Sequence, residues 1–212
     1  ADAYSACNRA FSLNPSLKFL AGTRLQLKLQ LCECSDISTD IHDFAVATKE
    51  RKLPSTPFVL LSTLSSPASQ LTGAQRFVEE QPLFPAIWGG EKYAHDRIRV
   101  AYLSPDLSDH PVAQQMVGVF EDHDRSRFDV TAISFGACSG SDLSRRVRAS
   151  FERFEDVRSQ SDQDIAELIR RLEIDIAVDL CGYTQNARPN ILARRPAPIQ
   201  VNFLGYAGTM GA

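Results

Sequence analysis

Long hydrophobic runs are missing from this 212-residue sequence: no apolar stretch approaches the 18 or more residues that a membrane-spanning helix requires. No segment concentrates Lys and Arg, and the formal net charge is −3, so nothing predicts binding to a phosphate backbone. The N-terminus, Ala1-Asp2-Ala3-Tyr4, lacks a basic region followed by an apolar core, which excludes a signal peptide at this point of the chain. It also lacks a Met and opens in mid-pattern, which reads as a fragment boundary. Cysteines are few and scattered: Cys7, Cys32, Cys34, Cys138 and Cys181. An odd number without regular spacing argues against a disulfide framework and for a reducing compartment. Cys32-Glu33-Cys34 has one intervening residue and no matching second pair, so it reads as two thiols on a helix and not as a zinc site. The four histidines stand far apart, and no metal is expected.

What remains is an ordinary globular composition, 43% hydrophobic and 23% charged, enough to bury a core. Three zones follow one another. Residues 1–53 read as helical. Tyr4, Cys7, Ala10 and Phe11 recur at helical spacing before Asn14-Pro15, a leucine-rich helix runs from Leu17 to Leu31, and a third carries Ile37, Ile41, Phe44 and Ala45. The Ala6, Ala10, Phe11 spacing resembles the closing helix of a tetratricopeptide (TPR) repeat. Residues 54–96 read as a linker punctuated by Pro54, Pro57, Pro67, Pro82 and Pro85, with one short helix near 69–80.

Residues 97–212 alternate in type. Apolar strands are expected at 98–103, 128–135, 154–157, 174–180 and 199–204, with helices at 112–120, 142–151 and 162–172 between them. That alternation predicts βαβ units and a parallel sheet, an α/β Rossmann-like lobe. Ligands of such sheets bind beyond the carboxyl ends of the strands, so the loops that follow strands come first. After the first strand, Ser104-Pro105-Asp106-Leu107-Ser108-Asp109-His110-Pro111 sets a histidine directly before a helix start. The positive end of a helix dipole favours a neutral imidazole, the form a general base needs; a surface helix-start residue is the alternative. Asp179, at the end of a buried strand, reads as a ligand contact or a strand-end cap, and Gly182 as a point of close backbone approach. Gly205-Tyr206-Ala207-Gly208-Thr209 suits a turn facing a phosphate or sugar, although it is neither a P-loop nor a dinucleotide fingerprint. The Pro-bounded basic segment from Arg188 to Pro198 reads as solvated helix and turn.

Several strings occur together over about 115 residues. They are Arg97-Ile98-Arg99-Val100-Ala101-Tyr102-Leu103-Ser104-Pro105-Asp106 with His110-Pro111, then Asp175-Ile176-Ala177-Val178-Asp179-Leu180 with Gly182-Tyr183-Thr184. Arg194-Arg195-Pro196-Ala197-Pro198-Ile199-Gln200-Val201 follows, with Leu204-Gly205-Tyr206 and Gly208-Thr209. In this order they resemble the opening of the catalytic region of the O-GlcNAc transferase/SPINDLY family, its bacterial members above all. The resemblance implies the first half of a GT-B glycosyltransferase, preceded by TPR-related helices and cut off before the nucleotide-binding lobe. It implies a cytoplasmic enzyme that inverts the anomeric centre, needs no metal or cofactor, and transfers N-acetylglucosamine from UDP-GlcNAc to Ser or Thr of a protein acceptor. Neither nucleic acid nor membrane is an expected partner. The match to the family's histidine makes His110 the candidate catalytic residue. Asp179, Gly182, Tyr183, Thr184, Gly205, Tyr206, Gly208 and Thr209 become the candidate substrate contacts. Two alternatives share these motifs: an O-fucosyltransferase using GDP-fucose, and a non-catalytic scaffold. Cys181 stands where the family has Asn or Lys, and Ala207 where it has Pro.

Overall fold

The computed structural model describes residues 2–63 and 66–212. They form two compact units, one of the described residues up to Pro82 together with 207–212, and the other 83–206.

The first unit is helical: α1 (Asp2–Leu13), α2 (Leu20–Gln30), α3 (Ile37–Lys49), α4 (Pro57–Thr63) and α5 (Pro67–Glu79). Leu25, Phe44 and Leu60 make its core, with Ala21, Ile37, Ile41 and Ala45 packed against them. The stretch expected as a linker with one helix therefore carries two, and Leu60 of α4 belongs to the core. The prolines account for the difference. Pro57 and Pro67 each open a helix, where the missing N–H costs nothing, and Ser66 caps α5 by accepting from the Ser69 N–H. They are helix starts in a segment where proline density alone reads as linker. No helix among the described residues is long and apolar enough to cross a membrane.

The second unit is built on five parallel strands: β1 (Ile98–Ser104), β2 (Phe128–Ser134), β3 (Arg153–Asp156), β4 (Ile176–Asp179) and β5 (Ile199–Asn202). Their order is β3-β2-β1-β4-β5, the Rossmann-like arrangement expected of alternating strands and helices. Four helices connect them: α6 (Pro111–Glu121), α7 (Asp142–Ala149), α8 (Asp162–Arg171) and the short α9 (Asn190–Ala193). Both faces of the sheet are covered, which is why its central strands read as continuous apolar runs. Val100 and Tyr102 of β1 pack with Val112, Met116 and Phe120 of α6. Ala101 and Leu103, pointing the other way, pack with Ile165 and Ile169 of α8 and with Ile191. Burying each large aliphatic or aromatic side chain contributes about 1.5–3 kcal/mol, so these two layers hold the lobe. Helix α8 is further fixed by a capping box, Ser161 accepting from the Asp164 N–H while Asp164 accepts from the Ser161 N–H.

Register decides what the sheet presents. Ser104 pairs with Ser134, Leu103 with Asp179, and Asp179 with Asn202. The strand ends are level, so the loops after β1, β2, β4 and β5 emerge along one edge.

Candidate active site

His110 closes the loop after β1 and is the N-cap of α6, with Pro111 at the first helical position. Its backbone is extended, and its Nδ1 accepts from the Val112 N–H at 3.2 Å. The same nitrogen lies 3.7 Å from Asp106 Oδ2. With the side chain 45% exposed, the ring borders solvent. The cap explains why a histidine fits here: it satisfies one of the orphan N–H groups of the first turn. In this arrangement a neutral ring accepting at Nδ1 carries its proton on Nε2.

His110 lines an open cleft of about 390 Å³ together with Pro105, Asp106, Ser108, Asp109 and residues of two other loops. Phe135, Gly136 and Ala137 come from the loop after β2, and Asn186 from the loop after β4. Burial pushes the Asp106 carboxyl above the ordinary carboxylate range, opposed by the nearby His110. Asp109 is held lower, because the hydroxyls of Ser141 and Ser139 hydrogen-bond to it; Ser141 Oγ donates to its Oδ1 at 2.7 Å. Gly136 is a site residue that sequence reasoning passed over. A Cβ there would stand 1.7 Å from the Pro105 carbonyl oxygen, so only glycine lets the loops after β1 and β2 close on each other. The available signal was its place just beyond a strand end.

The loop after β4 is organised by Asp179. Its Oδ1 accepts from the Cys181 N–H at 2.8 Å and its Oδ2 from the Gly182 N–H at 3.1 Å. Burial raises this carboxyl, and those two donors work against the rise. The cap reading of Asp179 describes this geometry. Thr184 turns inward as well, its hydroxyl donating to the Cys181 carbonyl at 2.9 Å. Gly182, at φ +56°, sits under Tyr206, and a Cβ there would approach Tyr206 Cβ to 2.5 Å. Gly205 is held equally close to the Leu180 carbonyl, 1.9 Å from where a Cβ would be. These glycines are explained by loop-on-loop packing. Tyr183 and Tyr206 meet edge to face with ring centroids 5.5 Å apart, and burial pushes both phenols up to about 12. They stay neutral near pH 7.

Cys181, the departure from the family pattern, is buried with its Sγ 3.8 Å from the Leu103 carbonyl and 3.9 Å from Ser104 Oγ. Burial drives its thiol far above the ordinary range, so it is inert packing under the end of β1. Gly208 and Thr209 belong to the segment 207–212, which is grouped with the helical unit; there Thr209 Oγ1 accepts from the Gly211 N–H at 3.2 Å. The carboxyl edge of the α/β unit therefore assembles His110, Asp179, Gly182, Tyr183, Thr184, Gly205 and Tyr206. Among the described residues no group of three or more His, Cys, Asp or Glu is placed to hold a metal ion.

The profile of Glycosyl transferase family 41 matches residues 85–212. The chain is 38% identical over 116 residues to a probable UDP-N-acetylglucosamine–peptide N-acetylglucosaminyltransferase, SEC, of Arabidopsis thaliana, covering 55% of this chain and 12% of that protein. It is 37% identical over 117 residues to the UDP-N-acetylglucosamine–peptide N-acetylglucosaminyltransferase of Caenorhabditis elegans, covering 55% of this chain and 10% of that protein. With the probable transferase SPINDLY of Oryza sativa subsp. japonica it shares 30% identity over 141 residues, 65% of this chain and 15% of the relative. Among solved structures, a K341M mutant of the Thermobaculum terrenum O-GlcNAc transferase superposes with a TM-score of 0.71 at 30% identity, covering 99% of this chain and 41% of that one. The chain thus spans 10–15% of the length of these curated relatives. With the profile matched across the whole parallel sheet and its edge loops, this chain belongs to glycosyl transferase family 41.

Proposed function

We propose that this chain is part of an inverting protein O-glycosyltransferase that moves N-acetylglucosamine from UDP-GlcNAc to Ser or Thr hydroxyls of a protein. The observation that carries the reading is the family match across residues 85–212, which covers the sheet edge where His110 opens onto a cleft. Inversion requires the acceptor oxygen to attack the anomeric carbon from the face opposite the departing UDP, and that hydroxyl must lose its proton. His110 is the base we assign to this step: it is the imidazole in the cleft, and a ring nitrogen within reach of the acceptor hydroxyl can take its proton. Asp179 and Thr184 act by holding the loop after β4 in shape, and Gly182, Gly205, Tyr183 and Tyr206 by fixing its packing. Gly208 and Thr209 are proposed as further substrate contacts on the family pattern alone. The reading calls for no metal. It places the protein in the cytoplasm, in keeping with five unpaired cysteines.

The test is transfer to a Ser/Thr-containing protein by the full-length protein, with UDP-GlcNAc and GDP-fucose offered in parallel. Incorporation of N-acetylglucosamine alone is expected. Incorporation of fucose alone would move the chain to the other donor, and no incorporation of either would favour a scaffold.

A further inference from the structure

Two groups compete for one nitrogen of His110. The Val112 N–H donates to Nδ1 at 3.2 Å, and Asp106 Oδ2 stands 3.7 Å from the same atom. A ring nitrogen can serve only one of them at a time. It accepts from an N–H through its lone pair, or it carries a proton and donates to a carboxylate. The choice decides what the far side of the ring offers. While Nδ1 caps the helix, the neutral ring holds its proton on Nε2, and that nitrogen can only donate. When Nδ1–H is given to Asp106, Nε2 keeps a free lone pair.

We infer that Asp106 is a positioning residue that converts His110 from helix cap to base by drawing the ring proton onto Nδ1. The inference rests on the reading of this cleft as the transfer site. The two side chains are four residues apart in one loop and line the same cleft, and Asp106 is the more sheltered, 21% exposed against 45%. Burial raises the Asp106 carboxyl while the charge on His110 lowers it, so an imidazolium and a carboxylate here stabilise each other. Asp109, the other acid lining the cleft, is engaged by Ser141 Oγ. Cys181 lies buried and protonated.

The step balances. As the bond from the acceptor oxygen to the anomeric carbon forms, the hydroxyl proton passes to Nε2. The bond from that carbon to the phosphate oxygen breaks, and its electron pair leaves with UDP. The ring ends as an imidazolium whose Nδ1–H lies on the Asp106 carboxylate, and Val112 gives up its side-chain cap.

The test has two arms. Histidine ¹⁵N chemical shifts, recorded on the 212-residue chain, report the tautomer directly. The wild type should show His110 nitrogen shifts averaged between the two tautomers. Asp106→Asn, whose amide can donate to Nδ1, should show the Nε2–H form alone. In the full-length protein, Asp106→Asn should lower kcat about tenfold to hundredfold, with KM for UDP-GlcNAc moved by about twofold or less. In a His110→Ala background the same change should add no further loss, because Asp106 acts through the ring. Identical tautomers in wild type and variant, or losses that multiply in the double variant, would overturn the inference. A wild type that transfers no sugar would sink the proposed function, while the chemical-shift arm would still decide the tautomer.

Discussion

Tyr206 packs against the bare α-carbon of Gly182, so that a Cβ at Gly182 would lie 2.5 Å from Tyr206 Cβ and 2.7 Å from its ring. Gly182 also has φ +56°, a conformation that costs an L side chain about 1–2 kcal/mol by itself. Gly182→Ala should therefore destabilise the chain by about 2–4 kcal/mol, strain and overpacking together. Chemical denaturation reads this directly. A loss under about 0.5 kcal/mol, the ordinary scatter of surface substitutions, would mean that the loops after β4 and β5 do not press together as described.

Asp179 ties down the same loop from below. Asp179→Ala leaves the Cys181 and Gly182 N–H groups without their acceptor in a buried place. The expected cost is about 1–3 kcal/mol, with faster amide exchange at both positions. Unchanged protection of those two amides would return Asp179 to the role of a ligand contact.

The cleft around His110 has the wrong charge for a diphosphate. Asp106 and Asp109 line it, and among the described residues no Lys or Arg does. Calorimetry of the 212-residue chain with UDP should give a Kd weaker than about 1 mM, less than about 4 kcal/mol of binding. Micromolar binding would place a phosphate site on this lobe and contradict the assignment of the cleft to the acceptor and sugar.

Acid sensitivity should trace in part to His123. Tyr102 Oη lies 2.9 Å from its Nε2, and burial first, then the charge of Arg125, holds its pKa below the ordinary 6.5. Between that lowered value and 6.5 the unfolded chain binds a proton that the native one does not. Stability therefore rises with pH across this window and is lost as pH falls below 6.5. His123→Gln should flatten the dependence of the melting temperature as pH falls through and below the ordinary histidine value of 6.5. Parallel curves for wild type and variant would assign the acid sensitivity to other groups.

Much of the α/β unit was legible because its information is local. The run from Ile98 to Leu103 is apolar at every position but Arg99, as a strand covered on both faces must be, and His110-Pro111 marks a helix start by its chemistry alone. Loop-to-loop contacts were not legible. Nothing near Gly136 in the sequence says that the Pro105 carbonyl will lie against it, and nothing around Gly182 names Tyr206. Those contacts join loops from different strands, so they follow from strand order and register and not from any local pattern. The helix α4 was hidden for another reason: proline at a first helical turn and proline in a linker look alike until a core residue such as Leu60 is seen buried.

The central claim is that His110 takes the acceptor's proton during sugar transfer. The measurement is single-turnover transfer from UDP-GlcNAc to a Ser/Thr-bearing protein by the full-length protein and its His110→Ala variant, with donor affinity measured alongside. The account predicts a loss of about a hundredfold or more in turnover, with donor affinity little changed. Full turnover in His110→Ala would contradict it and give the proton to another acceptor, such as the donor's own phosphate.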